Sequence, residues 1–588
     1  LRSLDPIRYA VAESVHSILS SVAEESVAGV DEIAGYIEIP PNPQMGDFAL
    51  PCFRFSKVLK KKPVEISQVL KEALDSDTNT WIAKAVCAGP FLNFFIDKTE
   101  MARWLLPKIQ GKSYFKLLEN VKDDRDFKKV MIEYSQPNTH KEFHIGHGLN
   151  MCLGDAMVRL YRACGFDVTA ANYPGDEGAH IAKCLWYIST NQLEAPTTNQ
   201  GQWLGEMYAN ATRKLADADA EQKKTFHQEV SQVLAAIESK NGPTYDFWKE
   251  SRQWSLDMFT AVYEWLGINF DCYFFESELS EGSQSLVDEY LTKGVFVESD
   301  GAVGCDLNDD GLGFMLVRKS DGNTLYATKD LVLAKRKFEQ FHIDRSVYVV
   351  AAEQNLHFRQ VFKTLERMGF DAAKQCFHLS HGHVRIPDGK MSSREGTAIN
   401  FSKLRVMIEE KLVEYLNKHD DWDEQQREDT MRKLCIGAIR YGMLSTDPVK
   451  DIVFRLEDWV SFEGNSGPYL MYSYARTQSI LRKAKDAGYT VNTDKLEFLI
   501  EDVEHELLNM LYQFNMSVKE ACLNDKPSLL THALYDLCRC FNRFYNQQSI
   551  LKAETPDLIQ ARVNLASGFA KVLYHGLGLL GIEPPEQM

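Results

Sequence analysis

The chain has 588 residues, 44% hydrophobic and 25% charged, with a formal net charge of −17 at pH 7. That length exceeds what one hydrophobic core organises, and the composition is that of an ordinary globular protein of several domains. The acidic balance argues against a protein that coats nucleic acid by charge alone, because such binding is driven by counterion release from phosphates; contacts through local basic patches and stacking aromatics remain open.

No apolar stretch is long enough to span a bilayer uninterrupted by charge, and the N-terminus, with Arg2, Asp5 and Arg8, lacks an apolar signal core. No membrane association and cytoplasmic residence are therefore expected. The 12 cysteines are scattered, with no CxxC pair or Cys/His spacing suited to tetrahedral zinc. No protein-bound metal is expected, and the unpaired thiols fit a reducing compartment.

In chain order, residues 1–118 mix helix and strand signals: helical apolar spacing at Ile7–Val27 and Val64–Leu74, then β-structure at Ala85–Asp97 broken by a Gly-Pro turn. Charged Glu119–Lys129 reads as a linker. A second unit, 129–425, opens with a strand into a Pro-Asn turn (Lys129–Asn138), a helix over Gly146–Gly165 stopped by Gly165, and a second strand with a Gly-rich loop over Phe166–Gly178. Strand, loop, helix and strand in that order build a parallel nucleotide-binding sheet. Residues 190–265 read as helical and Gly282–Tyr326 as short strands, both insertions; the sheet pattern resumes at Asp344–Gln354 and His378–Ile386. From 426 to 588 the pattern is helical throughout.

Two motifs carry chemistry. "HIGH" (His144–His147) stands where a strand's turn enters a helix. A helix N-terminus offers free N–H groups and the positive end of a dipole to phosphate; Gly146 lets a nucleotide approach, and two imidazoles can donate to a polyphosphate as charge develops. "DGKMSSREG" (Asp388–Gly396) sets Lys390, Ser392, Ser393 and Arg394 on a Gly-flanked loop, suited to close over a polyphosphate leaving group.

Together these motifs resemble the signature of class I aminoacyl-tRNA synthetases. "EYSQPNTHKEFHIGHGLN" (Glu133–Asn150) resembles the block peculiar to the arginyl enzymes of that class. The resemblance implies ATP, used with Mg2+, as cosubstrate, and L-arginine and tRNA(Arg) as the other substrates. His144, Gly146, His147, His357, Lys390, Ser392 and Ser393 would bind ATP, with His144, His147 and Lys390 catalytic. Glu133 and Asn138 would line the arginine pocket. "LYATKDLVLA" and "VVAAEQNLHFRQ" resemble its other arginine-binding segments, adding Tyr326, Asp330 and Gln354, with His357 near adenine or ribose. A carboxylate and an aromatic face suit a planar cation.

The same resemblance covers both ends. "GPFLNFF" matches an N-terminal module in which Phe91 and Asn93 would read the tRNA D-loop. "FEGNSGPYLMYSYARTQSI" and "ALYDLCRCFNRFYNQQSIL" match a helical anticodon bundle, with Tyr469, Tyr472, Phe541 and Tyr545 offering stacking surface and Met588 ending the family's C-terminal segment. The expected architecture is thus α/β: a Rossmann-type parallel-sheet catalytic domain with insertions, an N-terminal α+β module and a C-terminal all-helical anticodon-binding bundle, in a monomer. Cysteinyl-tRNA synthetase, a catalytically silent RNA-binding paralogue and a small-molecule ligase are the alternatives. The first needs a zinc site, the second has no reason to keep both motifs, and the third has no use for the end modules.

Overall fold

The computed structural model describes residues 2–76, 78–387, 399–417 and 422–588. An N-terminal module packs helices Pro6–Val22 and Pro63–Leu74 on an antiparallel sheet of β1 (Phe48–Pro51), β2 (Ile82–Ala88) and β3 (Phe91–Ile96), ordered β1–β3–β2. Gly89 takes positive φ (61°) in the turn between β2 and β3, as the Gly-Pro pair requires. The expected linker is instead packed: Leu117–Asp124 forms a 3-10 turn with Leu118 and Val121 buried, and Lys122 N–H donates to Cys164 O at 3.0 Å. Its charges misled because two apolar residues on one side suffice to bury a short turn.

The central domain is a five-stranded parallel sheet made of β4 (Lys129–Glu133), β5 (Asp167–Asn172), β6 (Cys272–Tyr273), β10 (Arg345–Ala351) and β11 (Cys376–His381), in the order β11–β10–β4–β5–β6. Between β6 and β10 the chain makes a separate antiparallel sheet, β7 (Val297–Ser299), β8 (Ala302–Leu307) and β9 (Gly313–Arg318). The expectation of strands from Gly282 is corrected at its start, where Ser280–Thr292 is a helix burying Leu286, Val287 and Tyr290. The stretch around 190–265 is helical as read, with helices Gln200–Asp217, Ala220–Glu238 and Pro243–Leu266. The chain leaves β4 toward β5 on one side and β10 leads to β11 on the other, so the sheet's topological switch point lies between β4 and β10, where open α/β sheets bind ligands.

Helix Ile145–Ala163 connects β4 to β5 and is buried on nearly all sides. Gly154 makes this possible: a Cβ there would sit 2.2 Å from the Tyr134 ring. Helices Glu424–Leu444, Gly467–Asp486, Asp502–Leu523, Pro527–Gln547 and Pro556–Leu579 form the C-terminal bundle, whose core is continuous with those of the central sheet and the N-terminal module. Arg440, wholly buried, reaches across: its Nη1 lies 2.8 Å from Asp155 Oδ2 on helix Ile145–Ala163 and donates to Leu580 O (3.2 Å), while Nη2 donates to Leu266 O at 2.8 Å. Among the described residues no helix is long and apolar enough to cross a membrane.

Arg440→Met should lower the free energy of unfolding by about 3 kcal/mol, at the low end for a broken buried ion pair because Arg159 still neutralises Asp155 at 2.7 Å. Urea denaturation followed by far-UV circular dichroism measures it.

Candidate active site

The loop after β4 is held by side chains rather than by secondary structure. Ser135, Gln136 and His140 all take positive φ (76°, 44° and 62°), conformations a non-glycine residue adopts only under outside constraint. The constraints are visible. Asn150 Oδ1 accepts from Ser135 N–H (2.5 Å), Asn172 Oδ1 accepts from Gln136 N–H (3.2 Å), and Ser255 Oγ accepts from His140 N–H (2.9 Å). Asn138 pairs by a backbone bridge with Gly175, where a Cβ would lie 2.6 Å from Asn138 Oδ1.

That loop delivers His144 as the N-cap of helix Ile145–Ala163. Gly146 N–H donates to His144 Nδ1 and His144 N–H donates to His147 Nδ1, each at 3.1 Å, and the two ring centroids lie 3.8 Å apart with the planes tilted by 38°. Burial lowers the pKa of His144, with Lys141 adding to it; burial and then His144, Lys141 and His381 push His147 well below the usual imidazole value. Both rings are neutral, and with each Nδ1 accepting, each carries its proton on Nε2. Two uncharged N–H donors therefore stand beside a helix N-terminus.

Lys141 was missed in the sequence, although it lies three residues before the motif. The signal was a cation so placed. His381, at the end of β11, was read only as a strand residue. The segment Asp388–Gly396, with Lys390, Ser392, Ser393 and Arg394, lies outside the described residues. The chain just beyond it is tied to the histidine motif: Ile145 N–H donates to Ile399 O and Phe401 N–H to Phe143 O, both at 2.9 Å.

Across the switch point, helix Tyr326–Phe341 and helix Asn355–Arg367 bring three sequence candidates together. His357 Nε2 meets Asp330 Oδ2 at 2.6 Å, and the Tyr326 and His357 rings lie 4.9 Å apart. Tyr326 is 58% exposed, an open aromatic face above a carboxylate. His357, expected beside adenine or ribose, thus stands in the Tyr326–Asp330 group. Gln354 is half-buried at the N-cap of helix Asn355–Arg367. Glu133 ends β4 almost wholly buried, with Oε1 accepting from Gln136 Nε2 (2.8 Å) and Oε2 2.5 Å from Lys337 Nζ. Burial raises the pKa of Tyr173 well above the phenol value, and Asp330, Glu276 and Glu133 all add to the shift.

Asp176 is fully buried and accepts from Arg252 Nε (2.7 Å), Ser277 N–H and Ser277 Oγ (both 2.8 Å), so it anchors its loop. Glu177 meets Lys329 at 2.7 Å. Among the described residues no group of three or more His, Cys, Asp or Glu could hold a metal ion.

At the chain ends the outcome is mixed. Phe541 is corrected: it is wholly buried and stacks on Phe569 at 3.9 Å and 3°, a core residue of the bundle. Tyr545, one turn on, is 38% exposed. The missed residue is Arg476, whose guanidinium lies 4.7 Å from the Tyr472 ring and 5.4 Å from the Tyr545 ring, with Nη1 donating to Asn542 Oδ1 at 3.2 Å. Asn542 donates in turn to Tyr469 OH at 2.9 Å. Phe91 is half-buried and meets the exposed Phe53 edge-to-face at 6.2 Å, whereas Asn93 on the central strand β3 is corrected to a buried residue, 4% exposed and out of reach of a base. Met588 is half-buried against the core.

Comparisons with known proteins agree along the whole chain. Residues 115–456 match the family model of the class I tRNA synthetase (R) catalytic domain, residues 7–96 the arginyl tRNA synthetase N-terminal domain, and residues 470–588 the DALR anticodon binding domain. The chain is 39% identical to an arginine–tRNA ligase of Bdellovibrio bacteriovorus, covering 99% of both chains. It is 36% identical to one of Clostridium kluyveri, covering 95% of this chain and 96% of the relative. Its fold is similar to Thermus thermophilus arginyl-tRNA synthetase, with a TM-score of 0.78 at 24% identity, covering 99% of this chain and all of that one.

The buried imidazoles set an acid limit on stability. His140 is pushed down to about 3 and His381 to about 4 by burial, against 6.5 when unfolded. Between those values the unfolded chain binds protons that the native state refuses, so stability is full above 6.5 and falls as pH drops toward 3. The melting temperature should fall steadily from pH 7 to pH 4.5. His140→Gln, which can still bond Ser251, should remove about 1.4 kcal/mol per pH unit from the slope; calorimetric melts across that range check it.

Proposed function

The chain belongs to the class I arginyl-tRNA synthetases, an arginine–tRNA ligase family, and we propose that its switch-point site is where arginine and ATP are joined. The observation that carries this reading is the contact of Tyr326, Asp330 and His357 across the switch point from a neutral His144–His147 pair at a helix N-terminus. An aromatic face, a carboxylate and an amide, Gln354, suit the fork of donors of a guanidinium. Glu133 adds the second carboxylate, and Asn138 holds the amino-acid end.

ATP enters as its magnesium complex. An oxygen of the arginine carboxylate attacks the α-phosphorus, the bond to the bridging oxygen breaks, and pyrophosphate leaves with the arginyl-adenylate behind. A ribose hydroxyl of the terminal tRNA nucleotide then attacks the arginyl carbonyl, and AMP leaves. His144 and His147 donate Nε2–H to phosphate oxygens whose charge grows in the first transfer, and Gly146 admits the nucleotide to the helix end. Lys141 adds a cation there. The roles of Lys390, Ser392 and Ser393 on the leaving pyrophosphate rest on the motif alone.

The labour divides over residues 1–118, 129–425 and 426–588, for the tRNA elbow, the chemistry and the anticodon. Phe91, with exposed Phe53, serves the elbow. Tyr469, Tyr472, Tyr545 and Arg476 form the anticodon surface, since an arginine between two tyrosine rings suits unstacked bases. Met588 borders that bundle. The protein acts as a cytoplasmic monomer without bound zinc.

Purified protein should exchange labelled pyrophosphate into ATP with L-arginine in the presence of tRNA(Arg); exchange with cysteine instead would overturn the arginine assignment. Asp330→Ala should raise the arginine KM by about 100-fold, on the order of one charge-assisted contact, with the ATP KM unchanged. Arg476→Ala with Tyr545→Ala should raise the tRNA KM about tenfold, roughly one stacking contact, while helical content is kept. Filter-bound aminoacylation assays measure that KM.

A further inference from the structure

Lys337 was not among the sequence candidates, and nothing above gives it a task. It lies on helix Tyr326–Phe341, wholly buried. Seven residues separate it from Asp330, which at 100° per residue returns it to nearly the same helix face two turns on. Its ammonium nitrogen sits 2.5 Å from Glu133 Oε2 and 3.9 Å from the centroid of the Tyr348 ring. Tyr348 and Glu133 are register partners on β10 and β4, so the lysine lies over the switch point itself.

The two form a close, fully desolvated ion pair. Beyond each other, Glu133 Oε2 and Lys337 Nζ are buried without a hydrogen-bond partner among the described residues. A fold that buries an ion pair with no further hydrogen bonds to either partner forfeits stability, unless those bonds are completed by something that binds.

The geometry points to Lys337 as the positioning residue for arginine recognition: it fixes Glu133 Oε2 by charge while leaving that oxygen's lone pairs free for the guanidinium. This rests on the reading that Glu133 faces the substrate. A buried carboxylate with no countercharge takes up a proton, and a protonated one cannot accept a bidentate fork. Lys337 also sets the charge balance. With Glu133 and Asp330 it leaves one formal negative charge among three groups, the complement of a single guanidinium. The lysine further ties the helix bearing Tyr326 and Asp330 to the strand bearing Glu133, so the two arginine-binding carboxylates keep a fixed separation.

The test is arginine-dependent ATP–pyrophosphate exchange with tRNA(Arg) present, run on the full chain with melting curves. Lys337→Met should raise the arginine KM at least tenfold while the ATP KM stays within twofold, and Lys337→Arg should bring it back to within threefold of the parent. An unchanged arginine KM in Lys337→Met, with only the melting temperature lowered, would reduce Lys337 to a structural part and overturn the inference. Glu133→Gln is measured in parallel: if it leaves the arginine KM unchanged, it is the reading of Glu133 that fails. Should Lys337→Met fail to fold, the double variant Lys337→Met/Glu133→Gln, which buries no unpaired charge, takes its place. A double-variant arginine KM equal to that of Glu133→Gln supports action through Glu133; a KM raised at least tenfold beyond it overturns that.

Discussion

One buried guanidinium holds the molecule in register. Arg440 belongs to the first helix of the C-terminal bundle, yet its partners are Asp155 on the helix that begins with the histidine motif, Leu266 O at the end of the insertion's last helix, and Leu580 O near the C-terminus. A desolvated guanidinium needs a countercharge and acceptors, and one carboxylate and two carbonyls reach its two terminal nitrogens only if four distant segments arrive together. The C-terminal bundle is thereby locked to the helix that begins with the histidine motif. The approach is so close that a Cβ at Gly581 would lie 2.2 Å from Arg440 Nη1.

The histidine motif follows a different logic. Its two histidines are kept neutral by burial and by Lys141, with His144 adding to the effect on His147, and their Nδ1 atoms are consumed by backbone N–H groups. The protein has thus spent one nitrogen of each ring on capping a helix, which fixes the other as a donor. The strained backbone at Ser135, Gln136 and His140 belongs to the same arrangement. Asn150, Asn172 and Ser255 hold the loop in conformations it would not adopt alone, and the loop in turn sets where His144 begins the helix. On the facing side, acidic groups meet internal lysines: Glu133 meets Lys337, and Glu177 and Glu276 share Lys329. Carboxylates that would otherwise repel one another there are balanced by buried lysines.

Much of this was legible in order along the chain. The strand, turn and helix around His144 are local features: a Pro-Asn turn, a capping position and a closing glycine. Tyr326 and Asp330, four residues apart, share one helical face, so the sequence places them together. What it misjudged were positions whose fate is decided from outside. Phe541 has the spacing of an exposed aromatic on an amphipathic helix, but Phe569 of the next helix covers it. Asn93 sits on the central strand of its sheet, between register partners Ala49 and Val86, and is buried there.

Neighbouring residues alone point to the reaction: a histidine motif where a strand's turn enters a helix, a lysine-serine motif much later, and an arginine-type block around the first. Those are short-range patterns, written in residues that are neighbours in the chain or one helical turn apart. Only the tertiary structure decided which groups oppose each other across the switch point. Lys337 meets Glu133 from 204 positions away in the numbering, Arg476 lies between Tyr472 and Tyr545, and His357 stands with Asp330. A charge's partner is fixed by crossover geometry and by the desolvation that forces pairing, and neither is written in the spacing of residues along one strand.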